Sequence, residues 1–444
     1  MSISKEIVEQ LIAGTFTHDF IDITLTQQTT ENPEIFTGSG YFYYKDKKPY
    51  LKFLHKKSDQ QFRVKPTYSH LKTGEIISEE YLFSLKATDL SGKVWHADNI
   101  NPYISMNVSP CGIGIDCELY EIRKTIENDY SEYQHYFFVP QRFNIPCNEF
   151  QNLGEGGQRR TRCSFILDNI NISVLLEDNY SCIHLTSEQN VTLDQAKCIV
   201  DALSIAGGVL LTPTLSVTQT VVDKTLIFKE ISNTKKLHLM EFLPQRIPHY
   251  LNEWIEFIKS YTEKFGTDRT FYYYWLKIFN AHQSDLENET LSLTVSIEGV
   301  INKFHSKFKQ EDREFKKLCS DVKPIIDHLE INERVKSSII NLLQRSGQSS
   351  PKGILFNMAR QGVFPKEMAT AWFKARNRSA HAEHFKKHVW KDNVDNYILC
   401  LSLFYILLSY HIEYIGVFYH HHLPDAPLKK LNFSVNEFQK GDED

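Results

Sequence analysis

Hydrophobic and polar positions alternate along roughly the first half of the chain and then change to a helical period. Phe20-Ile21-Asp22-Ile23-Thr24-Leu25, Gly40-Tyr41-Phe42-Tyr43-Tyr44 and Tyr50-Leu51-Lys52-Phe53-Leu54 read as strands, since successive side chains of a strand face opposite sides of its sheet. Ser164-Phe165-Ile166-Leu167, Ile172-Ser173-Val174-Leu175-Leu176 and Ser181-Cys182-Ile183-His184-Leu185 continue the pattern, with turn residues such as Glu177-Asp178-Asn179 between them. One inserted helix is expected in this half. Thr192 caps it, apolar positions recur at Ala196, Ile199, Ala202, Leu203 and Ala206, and Gly207-Gly208 ends it.

From about Leu239 the pattern predicts helices alone. Trp254-Ile255 with Phe257-Ile258 form one stripe, a second run covers Arg269 to Ala281, and Glu289 to Phe308 carries Leu293, Ile297, Val300, Ile301 and Phe304 on one face. Further helices are read at 311–328, 332–345, 352–361 (Ser350 as cap, Pro351 in the first turn) and 365–375, then a long apolar helix from about Asp392 to His420. The fold class is therefore α+β. A β-rich domain covers 1–238, an all-α bundle 239–430 with its core at about 285–420, and an acidic tail 431–444.

Composition changes this picture little. A chain of 444 residues with 41% hydrophobic and 24% charged positions fits two globular domains. A net charge of −5 excludes wholesale coating of nucleic acid but leaves room for a local basic cleft. Eight cysteines without a CxxC pair point to neither a zinc ribbon nor a redox dithiol, and together with the start Met1-Ser2-Ile3-Ser4-Lys5-Glu6, which has no signal-peptide pattern, they lead us to expect reduced thiols in the cytoplasm. Tyr397 to Tyr419 is long enough to span a membrane, but Ser409, His411 and Glu413 interrupt it, so a buried bundle or dimer helix is expected instead.

The densest chemistry lies in Arg376-Asn377-Arg378-Ser379-Ala380-His381, read as sitting near the start of a helix. Arginine supplies a permanent charge and a planar fork of donors suited to phosphate, and histidine both takes and gives a proton near neutral pH. Attack on a phosphodiester by a neighbouring hydroxyl needs those two services. Spacing alone says little. With 14 arginines, and histidine at 18 of 444 positions, about 0.6 Arg-x4-His pairs arise by chance.

Placement adds the rest. Asn377 follows the arginine, and the segment lies between the Ala-, Trp- and Phe-rich run Ala369 to Ala375 and the long apolar helix. Over about residues 285–420 the chain resembles the HEPN superfamily, whose ribonucleases carry an R-x4–6-H motif, and the helix holding Ser296-Ile297-Glu298-Gly299-Val300-Ile301 is similar to the opening helix of such domains. The two-part plan is similar to that of ApeA-type phage-defence proteins, the front half by organisation only. The resemblance implies a metal-independent RNA endonuclease with no cofactor. His381 would be general acid or base, Arg376 would hold the scissile phosphate, and Asn377 would orient it. The products would be a 2′,3′-cyclic phosphate and a 5′-hydroxyl. It also implies a homodimer with a composite site, RNA as substrate, and a trigger, such as a phage component, at the β-rich domain acting as sensor. Arg378 and His384 form a second pair at allowed spacing, and Glu298 is an auxiliary candidate that is equally well read as a solvated helix residue. A HEPN-like dimer that binds nucleotide or protein without chemistry is the first rival.

Other clusters are weaker. His381, His384 and His388, with His420-His421-His422, allow a metal-dependent hydrolase as a second rival, although no HExxH motif is present and a solvated histidine face is the simpler reading. Gly154-Glu155-Gly156-Gly157 before Arg159-Arg160-Thr161-Arg162 lacks the GK[ST] ending of a phosphate loop, and Cys111-Gly112-Ile113-Gly114-Ile115-Asp116 is too short for a dinucleotide site. Tyr272-Tyr273-Tyr274-Trp275 has the types that stack on bases, but its helical pattern favours core.

Overall fold

The computed structural model describes residues 3–55, 77–102, 106–109, 112–127, 129–152, 158–232, 239–245, 247–282, 284–309, 313–346, 350–380 and 390–430. The chain is α+β, a large antiparallel sheet followed by helices. It divides into two compact units. The first comprises 1–200, 211–236 and 246–251, and the second 201–210, 237–245 and 252–444.

In the first unit, the described residues build one 15-stranded sheet. Its middle runs Tyr133–Val139, Leu215–Gln219, Asp223–Lys229, Glu121–Glu127, Val94–Ile100, Phe83–Asp89, Thr17–Gln27, Ile35–Lys45, Lys48–His55 and Gly112–Glu118, each paired antiparallel with the next. Alternation decides the inner face: Phe83, Leu85 and Ala87 are buried on one strand, Leu51 and Phe53 on another. The expected alternation of 20–25 is broken by a register shift between Phe20 and Ile23, which leaves Ile21 55% exposed. A polar knot sits among these strands. Asp89 accepts hydrogen bonds from Lys124 Nζ (2.7 Å), Trp95 Nε1 (2.9 Å), the Ser91 hydroxyl (2.6 Å) and the backbone N–H groups of Ser91 and Lys93.

The sequence reading allowed this half one helix. A second exists, α1 (Lys5–Ala13), capped by Ser4 and stopped by Gly14 at φ 72°, with Val8 and Leu11 buried. The expected helix is α2 (Leu193–Gly207), and its start is a capping box: Thr192 Oγ1 accepts from Gln195 N and Gln195 Oε1 accepts from Thr192 N. Gly208, at φ 57°, ends it as anticipated.

The second unit holds α3 (Leu251–Phe265), α4 (Thr270–Ala281), α5 (Leu286–Phe304), α6 (Arg313–His328), α7 (Glu333–Ser346), α8 (Pro351–Arg360), α9 (Lys366–Ala380) and α10 (Trp390–His411). Helix α5 is central, packed by α4, α8, α9 and α10. Its stripe Leu293, Ile297, Val300 and Ile301 is fully buried, as its spacing requires. Helix α10 is long and apolar enough to cross a membrane, yet 67% of its most apolar window is buried within the protein, and Leu403, Phe404, Ile406 and Leu407 bury all its faces. It is a core helix.

Two boundaries differ from the sequence reading. Helix α10 stops at His411 rather than running to about His420; Glu413 adopts φ 58°, and Val417–Tyr419 then pairs as a strand with Leu428–Lys430. Helix α9 does not end at 375 but continues to Ala380. Arg376, Asn377 and Arg378 therefore occupy the last turns of one helix, not the start of the next.

Candidate functional site

The site is built on α5, α9 and α10. Helix α9 is anchored by Met368, Ala369, Ala371, Trp372 and Ala375, all buried, and by the Trp372 indole N–H donating 3.0 Å to the carbonyl of Thr294 on α5. This seam sets the register between the two helices. One turn past Trp372, Arg376 lies beside Glu298, one turn past Thr294, and donates from Nε to Glu298 Oε2 at 3.1 Å. The pair is half open: the Arg376 side chain is 31% exposed and that of Glu298 35%. Asn377 is exposed. Arg378 turns the other way and donates from Nη1 to Asn393 Oδ1 on α10. Asn393 is buried, and among the described residues its Nδ2 has no partner.

The six candidates thus separate. Arg376 and Glu298 come together, Asn377 stands beside them toward solvent, and Arg378 is drawn to α10. His381 and His384 lie outside the described residues, as does His388. The choice between the Arg376/His381 and Arg378/His384 pairs is not decided by the histidines, but the two arginines already differ in what they can do. A guanidinium fork held at Nε by a half-exposed carboxylate retains Nη donors for an anion. A guanidinium bound to a buried carboxamide on the next helix serves to brace that helix.

Gly299 explains how α4 fits against this site. A Cβ there would lie 2.7 Å from the Tyr274 hydroxyl oxygen, so glycine lets the Tyr274 ring of α4 rest on α5 directly next to Glu298. Of the aromatic cluster, Tyr272 and Trp275 are core and only Tyr273 is well exposed. The expectation that this run is mostly core therefore stands.

Sequence reasoning missed a second polar cluster at the other end of α5. Glu289, 6% exposed, accepts hydrogen bonds from Tyr397 Oη on α10 and meets His282 Nδ1 just past α4. Burial, then the adjacent Glu289 carboxylate, pushes the Tyr397 phenol well above its ordinary range. The only signal in the sequence was a carboxylate in the first turn of an otherwise apolar stripe, and nothing there pointed to its partners.

The remaining motifs carry no site among the described residues. Arg159 pairs with Asp178 at 2.7 Å, Arg162 with Glu149 at 3.7 Å, and Arg160 stacks on Phe150, so the arginines after the glycine loop serve their own hairpin and its surroundings; Gly154 to Gly157 are outside the described residues. Gly112–Glu118 is a strand with Ile113 and Ile115 buried. His420 and His421 meet backbone carbonyls of Lys429 and Glu241, and no group of three His, Cys, Asp or Glu among the described residues is placed to hold a metal. Comparison with protein-family models, curated proteins and solved structures finds no match for this chain.

Proposed function

We propose that the helical unit is a metal-independent RNA endonuclease of the HEPN type, working in the cytoplasm as a homodimer, with the β-rich unit as its sensor and anti-phage defence as its role. The observation that carries this reading is the Arg376–Glu298 pair, a guanidinium presented at the end of α9, half exposed, five residues before His381. In the proposed reaction His381 takes the proton of a ribose 2′-hydroxyl, the 2′-oxygen bonds to phosphorus, and the bond from phosphorus to the 5′-oxygen breaks as that oxygen takes a proton from the imidazolium so formed or from water. Arg376 neutralises the charge that gathers on the phosphoryl oxygens, Glu298 orients its fork, and Asn377 donates to the phosphate. DNA lacks the attacking hydroxyl and resists.

Purified protein and its His381→Ala variant are incubated with total cellular RNA, with and without EDTA. Cleavage that survives EDTA, leaves cyclic-phosphate ends and falls by about 10²–10⁴-fold in the variant is expected for loss of a general acid–base. Cleavage untouched by His381→Ala sinks the site assignment, and cleavage abolished by EDTA assigns the chemistry to a metal. The second reading, a HEPN-like dimer that binds without chemistry, is favoured by one observation: both arginines have partners on neighbouring helices and can serve packing alone. RNA that is bound in a gel-shift assay yet left intact selects it.

A further inference from the structure

We infer that the cavity beside the start of α1 is a binding site for an uncharged, flat aromatic molecule about the size of a fused bicyclic ring. This cavity, of about 310 Å³, lies wholly within the β-rich unit, and the inference does not depend on the nuclease reading. Sheet register creates it. Leu175 faces Cys182, Cys182 faces Phe138, and Val217 faces Tyr136 across successive strands, which brings these side chains to one face of the sheet. Ile3, Ser4, Lys5 and Val8 line it from the helix side.

Size and lining select the ligand. An apolar cavity of about 150 Å³ stays dry and takes benzene, so roughly twice that volume suits a bicyclic ring. Tyr136, Phe138 and Tyr180 supply aromatic walls, and Val8, Leu175 and Val217 complete an apolar lining on which a flat body can stack or rest its edge. The charged groups of the lining, Lys5, Glu177 and Lys224, are already answered. Lys5 and Glu177 pair at 3.0 Å with side chains 60% and 30% exposed, a neutral couple at the solvent side. Lys224 has a partner of its own. Burial pushes the Cys182 thiol up to about 12, so it is a neutral wall atom, and the Tyr136 hydroxyl donates to Gln134 Oε1 at 2.8 Å. A carboxylate or an ammonium brought inside would lose its water and find no unengaged counter-charge. A neutral ring has no such loss and gains from every apolar surface it buries.

The test is calorimetric titration of the full-length protein at neutral pH with indole, indole-3-acetate and tryptamine, which share one ring system and differ in charge. We expect one saturable site for indole, and binding weaker by about tenfold or more for each charged analogue, whose charge must be desolvated without a partner. Leu175→Trp fills the cavity from a partly buried wall position and removes the indole site, with circular dichroism confirming the fold. Glu177→Gln gives a second readout. It frees the Lys5 ammonium, and should strengthen indole-3-acetate about threefold while leaving indole unchanged, the scale of a partly exposed charge. Wild-type protein that binds either charged analogue as tightly as indole, or binds no indole, overturns the inference without any variant. So does indole binding of equal strength in a folded Leu175→Trp. If that variant does not fold, Glu177→Gln decides: an unchanged affinity for indole-3-acetate places the probe away from the Lys5–Glu177 pair and overturns the site.

Discussion

Asp89 in the β-rich unit and Glu298 in the helical unit are both carboxylates that meet a cation, and their surroundings are opposite. Asp89 has a side chain 2% exposed and satisfies its oxygens with Lys124, Trp95, Ser91 and the backbone of Lys93. Burial alone would raise its pKa; the hydrogen bonds from Lys124, Ser91, Trp95 and Lys93 together outweigh burial and hold the carboxyl far below the usual range. Glu298 has one cation, Arg376, and a third of its side chain in solvent. A closed network of this kind locks strands in register. An open pair contributes little to folding and keeps donors that a ligand can use. Chemistry is therefore to be sought at the pair, and stability at the network.

The sharpest way to break this contrast is to delete both carboxylates. Asp89→Ala leaves the partly buried Lys124 ammonium and the buried Trp95 indole without their acceptor and is expected to cost about 3 kcal/mol in urea unfolding, the low end of the range for a broken buried ion pair. Glu298→Ala removes a screened surface interaction and should cost at most about 1 kcal/mol. Equal losses would remove the distinction. Acid sharpens it further for Asp89: its contribution is complete above the unfolded carboxylate value of about 4 and is lost as pH falls below that, so it is intact through the mildly acid range.

Mild acid should weaken the helical unit through its buried histidines. His305, at the end of α5, is 1% exposed and packs against Phe308, Tyr410 and the ring of His411. Burial, then His411, pushes its pKa down to about 3, and burial takes His411 down to about 4. Between these values and the unfolded value of about 6.5, the unfolded chain binds protons that the folded chain refuses. Stability must then fall as pH falls, at about 1.4 kcal/mol per pH unit for each histidine. Urea midpoints followed by the helical circular dichroism signal from pH 7 to pH 4 measure this slope, and His305→Gln should remove about one proton from it. An unchanged slope in that variant would put the acid sensitivity elsewhere.

What the sequence revealed of these two regions follows from which interactions are local. The stripe of α5 and the Thr192–Gln195 box are set within a few residues, so spacing alone located them. Helix α1 has its stripe at Ile7, Val8, Leu11 and Ile12 between the Ser4 cap and Gly14, but at nine residues it is shorter than the length at which spacing separates a helix from a short apolar strand. Asn377 and Ser379 look like a helix break, yet α9 runs on because Arg376 and Arg378 find partners on α5 and α10. The end of α10 was hidden because Val417 and Phe418 keep the segment apolar after the backbone has turned at Glu413. At the candidate site, the motif arginine was legible as chemistry. Its pairing with Glu298, 78 residues earlier, was not, since only the packing of α9 on α5 creates it.

The smallest expected effect tests how that packing supports the open pair. Gly299 is the residue after Glu298, and the Tyr274 ring occupies the space its missing side chain leaves. Gly299→Ala sets a methyl against the far end of a ring that is only partly buried, so Tyr274 has room to swing aside. Alanine is also the better helix former by about 1 kcal/mol, which offsets part of an overpacking cost of about 1–3 kcal/mol. The net loss should be about 1 kcal/mol, read as a shift of the urea midpoint. Tyr274→Ala in the same chain should relieve the clash and let the helix-forming gain appear, so the double variant is expected to be more stable than Tyr274→Ala alone. If Gly299→Ala destabilises equally with and without the tyrosine, the ring is not what requires glycine, and α4 does not help position Glu298 for Arg376.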